Sequence, residues 1–95
     1  MSQVTIRIPM PLRSYTQGAG EVQVQASSVR EALAALGAAH EGVLDRVLAP
    51  QGELHPFVNV FVGSRNVRSL AGLATLLADD DVLAIVPAVA GGGPS

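Results

Sequence analysis

Cysteine, lysine and tryptophan are all absent from this 95-residue chain, and its only aromatic side chains beyond histidine are Tyr15, Phe57 and Phe61. Without cysteine there is neither a disulfide scaffold nor a thiolate nucleophile. Without lysine there is no side-chain amine for isopeptide linkage. The cations are six arginines, Arg7, Arg13, Arg30, Arg46, Arg65 and Arg68, scattered against eight carboxylates for a net charge of −2. No phosphate-tracking stripe exists, which argues against nucleic-acid binding. No apolar run approaches the ~18 residues of a membrane span, and the opening residues lack a basic region followed by an apolar stretch. A soluble, cytosolic protein that engages no membrane is expected.

Apolar residues make up 48% of the chain, enough to drive collapse, and the length suits a single core. With aromatics scarce, that core must be built from Val, Leu, Ile and Ala. Val4-Thr5-Ile6-Arg7-Ile8 and Glu21-Val22-Gln23-Val24-Gln25 alternate with period two and read as strands. Between them, Pro9 and Pro11 stop the first and Gln17-Gly18-Ala19-Gly20 is turn chemistry, so a hairpin with a long, partly ordered loop is expected. Ser28-Val29-Arg30-Glu31 fits a capping box, and Val29, Ala32, Leu33 and Leu36 follow at helical spacing, with Gly37 or Gly42 as the breaker. Val43 to Leu48 reads as a further helical turn. Phe57 to Val62 is apolar almost throughout, as in a central strand. Gly63 to Asn66 reads as a turn, with a short strand near Val67. Leu70 to Ala78 reads as a loop with a helical turn, Asp79-Asp80-Asp81 as a charged turn, and Val82 to Val86 as the last strand.

The order β-β-α-(α)-β-β-β predicts an α+β, ubiquitin-like β-grasp: a mixed four- to five-stranded sheet with one main helix on one face and a free C-terminal tail. The crossover through the helix predicts a parallel neighbour for the second strand. Residues 1–90 form the domain and residues 91–95 a Gly-rich tail. Three successive glycines, Gly91, Gly92 and Gly93, cannot strengthen a fold, but they suit a thin, extended backbone that must enter a narrow place. Extended, Ala88 to Gly92 would project ~17 Å.

Leu54-His55-Pro56-Phe57-Val58-Asn59-Val60-Phe61-Val62, Gly72-Leu73-Ala74-Thr75, and Asp79-Asp80-Asp81-Val82 through Val86-Pro87-Ala88-Val89-Ala90-Gly91-Gly92 together resemble the MoaD/ThiS family of ubiquitin-like sulfur carriers. Within it, the likeness is to the actinobacterial branch that serves cysteine synthesis. The resemblance spans essentially the whole chain and implies a carrier, not an enzyme. An E1-like adenylating enzyme would use ATP to activate the Gly92 carboxylate. Sulfide transfer would then leave a thiocarboxylate on Gly92, with Gly91 behind it in the channel. A sulfur-accepting synthase making cysteine, molybdopterin, thiamine or another thiolated metabolite would consume it. No cofactor is expected on the carrier itself, since it has no phosphate-binding Gly-rich loop with a lysine. The chain continues past the family's glycine pair into Gly93-Pro94-Ser95, which implies scission between Gly92 and Gly93 by a JAMM-type zinc metalloprotease. The alternative is a ubiquitin-like modifier conjugated to target lysines.

Asp80 stands where relatives commonly have glycine, and aspartate tolerates the left-handed conformation that such a turn needs. Three consecutive aspartates point apart in an extended chain and read as a solvated turn, not a metal site. His40 and His55 lack metal-ligand spacing and are expected at the surface or in caps. Phe57, Phe61 and the alanine-rich helix are assigned to the core. Surplus apolar sheet surface from Val60, Phe61 or Leu83 is expected to form a docking patch. Arg65 and Arg68, placed near the tail end of the sheet, join Phe61 and Val89 as expected partner contacts.

Overall fold

The computed structural model describes residues 2–87. Alternation of Val4 and Ile6 with polar neighbours gives β1 (Ser2–Arg7), and a 3₁₀ segment follows at Met10–Thr16. Next come β2 (Glu21–Ala26), α1 (Val29–Ala39) and the single turn α2 (Leu44–Val47). β3 (Val58–Val62) and β4 (Arg65–Asn66) precede 3₁₀ turns at Val67–Ser69 and Gly72–Ala74, and β5 (Val82–Pro87) completes the set. The five strands make one mixed sheet in the order β2-β1-β5-β3-β4. This is the β-grasp architecture that the sequence pattern predicts.

Among the described residues, the elements outside the sheet pack on one of its faces. Val4 and Ile6 of β1, Val58 and Val60 of β3, and Leu83 and Ile85 of β5 are buried with Val29, Ala32, Leu33 and Leu36 of α1 in one cluster. Cross-strand partners share a face, so the pairs Ile6–Leu83 and Val60–Ile85 build that layer directly. Val60 and Leu83 therefore belong to the core and not to a docking patch, because their parity in the strand points them at α1.

The N-terminus of α1 is capped as expected, with one shift. Ser28 Oγ accepts from the Glu31 N–H at 3.2 Å, but the Glu31 carboxylate accepts from Ser27, one residue before the cap, at 2.8 Å. Gly37 does not break the helix, which runs through it to Ala39. Its missing side chain instead admits Leu44, since a Cβ there would lie 2.6 Å from Leu44 Cγ. Gly42, at φ +92°, makes the turn between the two helices.

Three strand assignments change. β2 and β3 do run in the same direction, but β1 and β5 lie between them, and the parallel neighbours are β1 and β5. The central strand is β5, not β3: it pairs on both edges, whereas β4 covers only Phe61 and Val62 of β3. Arg65 and Asn66 form β4 across a two-residue turn whose first residue, Gly63, has φ +62°, and the segment from Val67 is a 3₁₀ turn. Phe57 precedes β3 and is exposed, outside the alternation that turns Val58 and Val60 inward, so it is no core residue.

Candidate tail exit and open sheet face

The face of the sheet away from α1 carries two textures. On β1 and β2 it is polar: Gln3 Nε2 donates to Gln23 Oε1 at 2.8 Å, Thr5 pairs with Gln23, and Arg7 lies 3.9 Å from Glu21. On β5 and β3 it is mainly apolar, with Asn59 the polar exception on β3. Phe61 pairs with Ala84 on one side and Asn66 on the other, Val86 pairs with Asn59, and Val82 pairs with Thr5. Val82 and Val86 are 37% and 43% exposed, and Phe61 is half-buried. Phe61 therefore lies outside the core cluster to which it was assigned, because its parity in β3 turns it away from α1, and beside it stand Val82 and Val86, which the sequence pattern did not single out. Their signal was available: β5 is apolar on both parities, and one long helix can cover only one face.

The two arginines assigned to the tail end separate. Arg65 pairs with Val62, which pairs with Leu83, so it sits toward the start of β5. Arg68 lies at the tail end, since it contacts Val58, the partner of Pro87. Its guanidinium is committed to the protein. Nη2 donates to the carbonyls of His55 and Val58, both at 2.8 Å, and Nε donates to Asn59 Oδ1 at 3.2 Å. These bonds close the length of β3 edge that β4 leaves open.

At the opposite end, the Asp79-Asp80-Asp81 turn is more than solvated. Asp79 Oδ1 accepts from the Gln3 N–H at 3.0 Å and Asp81 Oδ2 from the Ala78 N–H at 2.8 Å. Asp80 adopts φ +70° and donates its N–H to the Gln3 carbonyl at 2.8 Å, tying the starts of β1 and β5 together. His40 caps α1 through its backbone N–H, and His55 Nδ1 accepts from the Phe57 N–H at 3.2 Å. Among the described residues no three His, Asp or Glu side chains are grouped to hold a metal ion, and no helix is long and apolar enough to cross a membrane.

β5 leads from the middle of the sheet directly into the segment that begins at Ala88. Val89, Gly91, Gly92 and Gly93 lie outside the described residues. A sequence model described as the ThiS family matches residues 6–92 of the chain. The chain belongs to the ThiS family. It is 41% identical over 91 residues to the sulfur carrier protein CysO of Mycobacterium tuberculosis, covering 94% of this chain and 98% of that protein. Its fold is similar to that in the crystal structure of the Amycolatopsis orientalis BexX/CysO complex, at a TM-score of 0.88, 39% identity, and coverage of 94% and 99%. It is also similar to the small archaeal modifier protein SAMP1 of Methanosarcina acetivorans, at 0.85 and 28% identity, covering 97% of this chain and 98% of that one.

Proposed function

We propose that this ThiS-family chain is a sulfur carrier of the CysO type, a protein co-substrate whose reactive group is the Gly92 carboxylate. The observation that carries this reading is the family match, which ends on Gly92, the second glycine of the tail. The chemistry follows from the acyl group. A carboxylate is a poor acyl donor until one oxygen becomes part of a leaving group. In the proposed reaction the Gly92 carboxylate attacks the α-phosphorus of ATP on an E1-like enzyme and pyrophosphate leaves. Sulfide then attacks the acyl carbon, AMP departs, and the product is a thiocarboxylate that a sulfur-accepting synthase consumes.

Gly93-Pro94-Ser95 follow Gly92, so the Gly92–Gly93 bond must be hydrolysed first, and we assign that step to a JAMM-type zinc metalloprotease. The cytoplasm, where ATP and the activating enzyme reside, is the proposed compartment. Phe61 and the neighbouring Val82 and Val86 supply a docking face for the activating enzyme, and Val89, in the tail sequence, is a further proposed contact. Arg65 lies exposed at the margin of that face, whereas Arg68 contributes by fixing the edge of β3.

The test is a chain ending at Gly92, incubated with the activating enzyme, ATP and sulfide. Its intact mass should rise by about 16 Da, one oxygen exchanged for sulfur, and an unchanged mass would reject the reading. The likeness to a small archaeal modifier keeps conjugation to target lysines as the second reading, at lower identity than to the carriers. Higher-mass conjugates in immunoblots of cell extracts would favour it.

A further inference from the structure

Two of the most exposed large apolar side chains among the described residues lie at one end of the molecule. Phe57 is 64% exposed and Met10 is 73% exposed. Phe57 immediately precedes Val58, the partner of Pro87, so it flanks the end of β5 on the β3 side. Met10 follows the end of β1, the parallel neighbour on the other side. Scattered surface apolars need no explanation, but these two bracket the one strand that feeds the tail.

Both are held in place. The Phe57 N–H donates to His55 Nδ1, and the two rings stack tilted at 5.8 Å between centroids. Met10 Sδ lies 3.4 Å from Arg13 Nη1, while Arg13 Nε donates to the Ile8 carbonyl at 3.0 Å. Next to Pro9, the residue before Met10, an open recess of about 520 Å³ is lined by Arg7, Ile8, Pro9, Arg13, Glu21 and Ile85. The end of β5 therefore lies between two exposed apolar side chains, with a recess close to one of them.

We infer that Met10 and Phe57 form a collar that grips the mouth of the activating enzyme's tail channel, separate from the open-face patch. The length of the tail argues for this occupant. Only five residues separate Pro87 from the acyl carbon of Gly92, a reach of at most ~17 Å. An enzyme that encloses that carbon and a nucleotide must bring the rim of its channel down to the base of the tail, where the collar stands. Such a rim is apolar where it meets Phe57 and Met10 and carries hydrogen-bond acceptors where it meets Arg13.

This inference rests on the sulfur-carrier reading, and the assay separates the two. The chain ending at Gly92 is given to the host's own E1-like enzyme, and ATP–pyrophosphate exchange is followed. Phe57→Ser and Met10→Ser should each raise KM for the carrier roughly tenfold, as truncating an interface anchor does, and leave kcat within about twofold. Phe57→Leu should recover most of the loss. Leu76→Ser, at a side chain 78% exposed beside the N-terminus of α1, should change nothing. All four variants should unfold at the wild-type midpoint, since none removes a buried side chain.

An unchanged KM in both serine variants overturns the collar, as does an equal rise in Leu76→Ser. A defect confined to proteolytic removal of Gly93-Pro94-Ser95 would reassign the collar to the protease and also overturn it. No exchange with the wild-type chain would reject the carrier reading and the collar together. Exchange that is indifferent to Phe57 and Met10 would reject the collar alone.

Discussion

Arg68 is the clearest case of a residue whose role lies in contacts that leave no local pattern. Its bonds to His55, Val58 and Asn59 reach back nine to thirteen residues, so nothing in its immediate neighbourhood marks it as the closure of a sheet edge. Arg68→Ala should lower stability by about 1–3 kcal/mol in urea unfolding, since carbonyls built to receive a charged donor lose it. Arg68→Lys should restore only part, because an ammonium lacks the planar fork. Asp80 is the opposite case, legible from its place in an acidic turn. At φ +70°, Asp80→Gly should be tolerated. Asp80→Val should cost about 1–2 kcal/mol, because a β-branched side chain crowds the carbonyl in that conformation. Chemical denaturation of the two variants side by side decides it.

At the scale of elements, what repeats was readable and what is short was not. The two opening strands, α1 with its cap and the last strand follow from period and from Ser28 and Glu31. Ser28→Ala should therefore cost about 1 kcal/mol of unfolding free energy, read from the shift of the denaturation midpoint. β4 has two residues, too few to express a period, and only the Val62–Arg65 pairing across Gly63 reveals it. The segment Met10–Thr16 read as a partly ordered loop because its order rests on single contacts and not on a repeating period. Thr16, buried, donates Oγ1 to the Ala19 carbonyl at 2.9 Å, and Gln17 ends the segment at φ +58°. Gly37 misled for a related reason: its freedom from a side chain serves contact with Leu44, not helix termination.

For the molecule as a whole, which strand is central and which face is free could not be taken from the apolar pattern, because β5 is apolar on both parities and β3 is interrupted only by Asn59. The pairing partners settle it, with Leu83 and Ile85 inward and Val82 and Val86 outward. Val86→Asp should then weaken association with the activating enzyme roughly tenfold, seen as a raised KM, while circular dichroism and the unfolding midpoint stay unchanged. The proposed acyl site on Gly92 rests on the glycines and on the likeness to a known family, and it lies outside the described residues; the exposure of Phe57 and Met10 was not legible, because Phe57 looked like core and Met10 like loop. Finally, β5 is hydrogen-bonded along both of its edges, to β1 and to β3. A load applied along the axis of β5 from its C-terminal end would run parallel to those strands, so the bonds would resist together as a shear lap joint and not peel one at a time.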